Sequence, residues 1–108
     1  LRETTHGSAE AFNALFGRSA SVGNGNRDSF FGVKAGGAGT NSGSGNTCVG
    51  YQCLFAVTTA FFSTATGNNS LVALTTGEEN SAYGAGSLQR LTTGAGNTAL
   101  GKDAGNSL

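Results

Sequence analysis

The sequence predicts an all-β fold, a parallel β-roll or β-solenoid built from repeats of about 17 residues. The first observation is a near-repetition: NSAYG at 80–84 returns as NTALG at 97–101, 17 positions later. The second is that glycine recurs at one fixed place in every copy, as it does where a backbone turn is repeated. The third is the period itself, which is too short for helical hairpin repeats of more than about 30 residues.

Five copies of the repeat account for most of the chain. Their boundaries are 28–45, which is one residue longer than the rest, and then 46–62, 63–79, 80–96 and 97–108. Residues 1–27 fit less cleanly, and we interpret them as a degenerate N-terminal repeat or a cap. Two alignments of that segment fit equally well, one opening a shortened copy at Asn13 and one matching Phe12 to Tyr51.

Two positions of the repeat carry the turn chemistry. The fifth position is glycine in every copy: Gly32, Gly50, Gly67, Gly84 and Gly101. The first position holds a short polar side chain that can hydrogen-bond backbone at a turn: Asp28, Asn46, Ser63, Asn80 and Asn97. We predict that the glycines mark turns with positive φ or little space for a Cβ. We also predict that the asparagines stack into a ladder linking successive coils.

Each repeat predicts one coil with two short strands and two tight turns. Strand-like stretches at 48–49 and 54–57 are bounded by Gly and Asn, which are typical turn residues. Coils stack about 4.8 Å apart, so five or six of them predict a rod of about 25 to 30 Å.

The leucine spacing predicts self-assembly. Leu71 and Leu74, like Leu88 and Leu91, are three residues apart, which breaks the alternation of inward and outward side chains in a strand. We therefore expect some of these leucines to face outwards and to need cover from another chain. A homotrimer with its apolar ridges on the axis is the favoured assembly, and a dimer or a filament is also compatible with the sequence.

Composition excludes several classes of partner. Six basic residues balance six acidic ones, and only 11% of residues are charged. This predicts no binding to nucleic acid or to an anionic membrane surface. No apolar run is long enough for a membrane span, so no membrane insertion is expected. The start at Leu1 without Met is interpreted as a processed chain or an excised fragment.

The repeat resembles known fibre proteins. The segment TTGAGNTALG at 92–101 and the GYQCL element at 50–54 resemble the TTGxxNTAxGxxAL repeat of phage tail fibres and other virion-associated fibre proteins. The N-[ST]-x-x-G core also resembles the head repeats of trimeric autotransporter adhesins, which form trimers of β-rolls. The resemblance covers residues 28–108. The chain departs from it at Thr66, where an apolar residue is expected, at Gly36 and Gly39, where leucine is expected, and in lacking a self-cleaving chaperone domain.

The resemblance implies a structural and adhesive role. It implies a fibre segment on a virion tail fibre or at an extracellular cell surface, presenting or forming a receptor-binding surface. The implied partners are further copies of the chain and a host cell-surface glycan or protein receptor. Two alternatives stay open, a self-assembling extracellular filament subunit and an ice-binding β-solenoid that uses the threonine pairs at 58–59, 75–76 and 92–93.

The aromatic residues are the best candidates for a partner surface. Phe61 and Phe62 stand at positions sixteen and seventeen, at a turn corner where other copies carry Glu78-Glu79 or Ala95-Gly96. We expect them either to form an exposed adhesive patch or to pack against a neighbouring chain or residues 1–27. Tyr51, next to a turn glycine, could stack on a sugar.

Neither the cysteines nor the histidine predict catalysis. Cys48 and Cys53 occupy positions that hold Ala and Ser in later copies, so we interpret them as small half-buried thiols, with a disulfide as the alternative. His6 has acidic neighbours in sequence but no nucleophile motif beside it. We therefore predict a protein that is not an enzyme and uses no cofactor or metal.

Overall fold

The described strands form one sheet in which each strand lies beside the next one along the chain. The computed structural model describes residues 2–4, 13–16, 27–37 and 42–106. The strands are β1 (Arg2–Thr4), β2 (Asn13–Phe16), β3 (Ser29–Phe31), β4 (Thr47–Val49), β5 (Thr64–Thr66), β6 (Ser81–Tyr83) and β7 (Thr98–Leu100). β1 is antiparallel to β2, whereas β2 to β7 pair in parallel. The predicted all-β class and the β-solenoid are confirmed.

The register follows the repeat. Ser29 lies beside Thr47, an 18-residue step, and the next three pairings each advance by 17 residues. β3 to β7 therefore complete about four regular turns, fewer than the five or six coils predicted. β2 joins the sheet after a shorter step of 15 residues, since Ala14 lies beside Ser29. That register puts Asn13 at the first repeat position, as in the first of the two alignments.

Each described coil contains one three-residue strand, so the prediction of two strands per coil is wrong. Residues 54–57, expected as a strand, form a turn instead. The Val57 N–H donates to the Leu54 carbonyl at 3.3 Å, and the same bond joins Leu74 to Leu71 and Leu91 to Leu88, each at 3.2 Å. Local hydrogen bonds of this kind curl the chain where an extended strand was predicted.

The leucines face inwards, which corrects the prediction that some of them point outwards. Leu71, Leu74 and Leu88 are fully buried within a single chain, and Leu91 is 7% exposed. The reason is backbone conformation. Leu71 and Leu88 have left-handed φ values of 50° and 49°, and the turn that follows brings residues three apart to the same side. The predicted trimer interface made of outward leucines therefore loses its basis.

Strands β3 to β7 each place one residue inside and two outside. The central residue of each strand points into the coil: Phe30, Cys48, Ala65 and Ala82 are fully buried, and Ala99 is 7% exposed. Successive side chains in a strand alternate between faces, so the second and fourth repeat positions share the outer face. Parallel, in-register pairing then lines up equivalent residues along the rod.

The fifth-position glycines lie in a file where neighbouring coils touch backbone to backbone. Their φ values run from 124° to 139°, a region that side chains rarely adopt. A Cβ on Gly84 would lie 2.5 Å from the carbonyl carbon of Gly101, and one on Gly50 would lie 2.6 Å from the carbonyl oxygen of Gly67. Both requirements, backbone angle and space, leave glycine as the residue that fits.

We expect Gly84→Ala to lower the free energy of unfolding by about 3 kcal/mol or more, because it adds a backbone clash to the cost of an unfavourable φ. Gly101→Ala is a matched control, since Gly101 has a similar φ of 124° but nothing within 4 Å of its Cβ position. The Gly101→Ala variant should lose only the part of the unfolding free energy that comes from the unfavourable φ, about 1 to 2 kcal/mol. Denaturant unfolding measures both, and equal losses would contradict the close contact between coils.

The first-position side chains link each coil to the next. The Asn46 backbone N–H donates to Asp28 Oδ1 at 2.8 Å, and the Ser63 N–H donates to Asn46 Oδ1 at 3.0 Å. The Asn80 N–H donates to Ser63 Oγ at 3.3 Å, and the Asn97 N–H donates to Asn80 Oδ1 at 3.0 Å. The ladder thus runs from side chain to backbone, and it satisfies backbone donors next to the buried core.

The asparagine amides make a second contact within their own coil. Asn46 Nδ2 donates to the Ala60 carbonyl at 2.9 Å, and Asn80 Nδ2 donates to the Gly94 carbonyl at 2.8 Å. Each of these bonds joins the first residue of a coil to a residue 14 positions later in the same coil. Serine at Ser63 provides the ladder acceptor but has no amide to make this closing contact.

Replacing Asn80 by alanine should cost about 2 kcal/mol of unfolding free energy, because the Asn97 N–H and the Gly94 carbonyl both lose their partner. Asn80→Ser, which imitates Ser63, keeps an acceptor for the ladder and should lose about 1 kcal/mol. The comparison is made by urea unfolding at one pH. If alanine and serine destabilise equally, the ladder bond contributes nothing.

Cys48 and Cys53 form a disulfide inside one coil, and the described residues contain no free cysteine. Their Cα atoms are 5.7 Å apart, an ordinary separation for a bridge. Both residues are fully buried. The interpretation as two free thiols is therefore wrong, and the alternative of a disulfide within the coil is correct. The bridge ties the centre of β4 to the turn beyond Gly50.

The variant Cys48→Ala/Cys53→Ser reproduces the Ala65 and Ser70 pair of the next coil and isolates the contribution of the bridge. Closing so short a loop is worth about 2 kcal/mol, so the variant should be less stable than the oxidised parent by that amount. Chemical denaturation without reductant gives the difference. Matching midpoints for parent and variant would show that the bridge adds no stability.

Candidate interaction surface

One line of outward-facing side chains runs along the outer face of the sheet, and we call it the apolar column. Its members are Phe16, Phe31, Val49, Thr66, Tyr83 and Leu100. Direct pairing of these residues in the register of β2 to β7 places each one beside the next. The column therefore lies on the most regular part of the fold, at the fourth repeat position.

The large members of the column are well exposed. Exposure is 37% for Phe31, 42% for Val49, 41% for Tyr83 and 80% for Leu100. Phe16 is 51% exposed, and its ring stacks on that of Phe31 with centroids 6.0 Å apart and planes 22° apart. Single exposed apolar side chains are common on protein surfaces, but a contiguous line of them marks a contact surface.

A hydroxyl row flanks the column on the same face. It consists of the second repeat position: Ser29, Thr47, Thr64, Ser81 and Thr98, of which the first four are half-buried. Within β3 to β7, neither the apolar column nor the hydroxyl row contains a charged residue. The outer face of these strands is therefore neutral, apolar along one side and able to hydrogen-bond along the other.

The structure places Phe61 and Phe62 at a corner of the coil. Phe62 is 65% exposed and has a left-handed φ of 55°, whereas Phe61 is half-buried. The Phe62 ring covers Gly45 of the preceding coil, where a Cβ would lie 2.7 Å from its Cδ1. The two rings are 6.1 Å apart and tilted by 47°. Phe62 thus offers an open aromatic surface within the described structure.

Tyr51 lies on the turn that follows Gly50 and is 43% exposed. Its backbone carbonyl accepts a hydrogen bond from the Asn69 N–H at 2.8 Å, which ties the turn to the next coil. The Tyr51 side chain is exposed to solvent, whereas its backbone is held in place by this hydrogen bond.

The residues predicted from the sequence divide into a scaffold and a surface. The scaffold consists of the fifth-position glycines and of Asn46, Asn80 and Asn97, and it fixes the coil spacing. The surface consists of Tyr51, Phe61 and Phe62, which lie on turns. Sequence reasoning missed the apolar column as a site. Its signal was present, because the fourth position is apolar in four of five copies and is adjacent to the buried third position.

The threonine pairs form one outward file. Thr59, Thr76 and Thr93 are exposed at equivalent positions of three coils. Their neighbours are tied to the fold, as Thr58 Oγ1 donates to the Thr75 carbonyl and Thr75 Oγ1 to the Thr92 carbonyl, each at 3.1 Å. A single file of three hydroxyls is a narrow array for binding ordered water.

The described residues contain no cluster of side chains that could hold a metal ion. No group of three His, Cys, Asp or Glu side chains comes together among them, and they enclose no pocket. His6 and Glu10 lie outside the described residues. Within the described part of the chain no helix is long and apolar enough to cross a membrane.

Comparison with known proteins gives no further guide to the identity of the chain. No family model, no curated protein and no solved structure matches it.

Proposed function

We propose that this chain is a structural and adhesive fibre segment, of a phage tail fibre or of a cell-surface adhesin. In this proposal the β-solenoid is a stiff carrier, assembled as a homotrimer, and its turns present or form a receptor-binding surface. The segment works outside the cell or on the virion. It binds copies of itself and a host glycan or protein receptor, and it catalyses no reaction.

The observation that carries the proposal is the set of hydrogen bonds by which polar groups join each coil to the next. First-position side chains, threonine hydroxyls and backbone groups bond from one coil to the next at intervals of 17 or 18 residues. The described residues leave no pocket in which a small substrate could be enclosed. The chain measures 38 × 23 × 17 Å along its principal axes, so it is elongated. Repetitive bonding along an elongated body suits a load-bearing spacer.

The turns support the adhesive part of the proposal. Positions sixteen and seventeen carry Phe61 and Phe62 in one coil and Glu78 and Glu79 in the next, although the neighbouring strands keep the same length and register. Variable side chains on a rigid backbone are typical of recognition surfaces. Phe62 is the most exposed aromatic ring of the described residues, at 65%.

The disulfide supports the proposed location. Disulfides persist in secreted and virion-surface proteins and are rare in reducing cytosol. Cys48 and Cys53 are bridged and fully buried.

A self-assembling filament is the second candidate. Within the described structure β7 pairs with β6 alone, so its other edge offers unpaired backbone groups to a further strand. End-to-end stacking of copies on that edge would give long filaments in place of discrete oligomers. Ice binding is the third candidate and rests on the threonine file alone.

Adhesion and assembly can be tested on the same preparation. Fluorescently labelled chain should bind saturably to a subset of bacterial cell surfaces or glycans, and light scattering should give three times the 10.7 kDa chain mass. Phe62→Ala should reduce surface binding about tenfold, because an exposed aromatic anchor is lost. Phe55→Ala is the matched control, an aromatic residue of the same coil that is 36% exposed.

The outcomes separate the candidates. Binding to none of the surfaces would contradict the adhesive role, and long filaments in electron micrographs would favour end-to-end assembly. Thermal hysteresis in cooled solution would favour ice binding.

A further inference from the structure

We infer that the apolar column is the face through which copies of this chain pack against one another, side by side. The inference rests on the proposed fibre function and names the surface that its self-assembly uses. The occupant is a second copy of the chain. Four features of the described residues support it: continuity, area, charge and spacing.

Continuity comes from the sheet. Phe16, Phe31 and Val49 are neighbours in the paired register, and Tyr83 and Leu100 are neighbours further along. Thr66, between Val49 and Tyr83, is the one polar member of the column and is half-buried. The apolar surface therefore extends along six paired strands and is interrupted once.

The column provides more than half of the area that a homomeric contact needs. The exposed fractions of the five large side chains correspond to roughly 500 Å² of surface, taking about 200 Å² for a whole side chain of this size. A stable interface needs about 800 Å² from each partner. The hydroxyl row beside the column lies on the same face and adds to this area.

Charge favours another copy over a charged partner. The outer faces of β3 to β7 carry no charged side chain, and the whole chain has a net charge of zero at pH 7. Two copies therefore meet without repulsion. A nucleic acid or a strongly charged protein would find no complementary charges on this face.

Spacing makes the face complementary to itself. The column repeats once per strand, about every 4.8 Å, and so does the column of a second copy. Side chains of one copy can therefore enter the gaps between side chains of the other along the whole length, as they do between packed sheets. An unrelated partner would need to carry this same period.

The test compares two double variants that add the same charges to the same two coils. Val49→Asp/Tyr83→Asp places them on the column. Thr59→Asp/Thr93→Asp places them on the exposed threonine file. Sedimentation equilibrium of each full chain should show self-association weakened about 100-fold or more by the column variant and unchanged by the threonine variant. Circular dichroism spectra and melting curves verify that both variants are folded.

A third variant tests the inference in the opposite direction. Thr66→Val fills the polar interruption and should strengthen self-association about fivefold. Because it is a small, nearly isosteric change on a half-buried site, it separates a change in the face from a loss of folding.

Three results would overturn the inference. The parent could be an oligomer whose dissociation constant is the same in both aspartate variants, so that assembly uses another face and the fibre function stands. It could be a monomer up to millimolar concentration while still binding cell surfaces, so that adhesion survives without self-packing. It could be a monomer that sediments with neutral phosphatidylcholine vesicles, and the column would then be a lipid-docking surface.

Discussion

The close approach of one coil to the next governs this structure. At the fifth position the backbones of neighbouring coils touch, and Gly50, Gly67 and Gly84 leave no room for a Cβ between them. This contact sets the register, and the register aligns the buried alanines, the first-position ladder and the apolar column. Equivalent residues of successive coils lie side by side. A small or apolar residue at one position therefore packs against a residue of the same kind in the next coil.

The solenoid could be predicted from the sequence because its signals are local and repeated. Glycine at a fixed interval reports a backbone constraint, and asparagine at a fixed interval reports a polar group that needs a partner. The inward direction of Leu71 and Leu88 could not be read from periodicity. It depends on left-handed φ values of 50° and 49°, an uncommon conformation for leucine, which turns a three-residue spacing into two inward side chains.

The candidate surfaces could be predicted only in part, for a physical reason. Phe61 and Phe62 interrupt the repeat pattern, so their difference from the other copies draws attention. The column follows the repeat pattern, and a recurring apolar position is interpreted as part of the core. Its exposure becomes clear only when it is known which residues of the strand point inwards. Once Ala65 and Ala82 are placed inside, Thr66 and Tyr83 must lie outside. The bridge between Cys48 and Cys53 likewise required the turn geometry that brings positions three and eight together.

The placement of the disulfide within one coil has a mechanical consequence. Tension applied between the two ends of the chain would peel coils away in sequence, since each is held only by its neighbours. A released coil of 17 residues would lengthen the chain by about 60 Å at full extension. In the coil at 46–62, the bridge holds Cys48 and Cys53 at a Cα–Cα distance of 5.7 Å, so that coil would yield about 50 Å. The bridge thus acts as a local stop that shortens the extension of one coil under load.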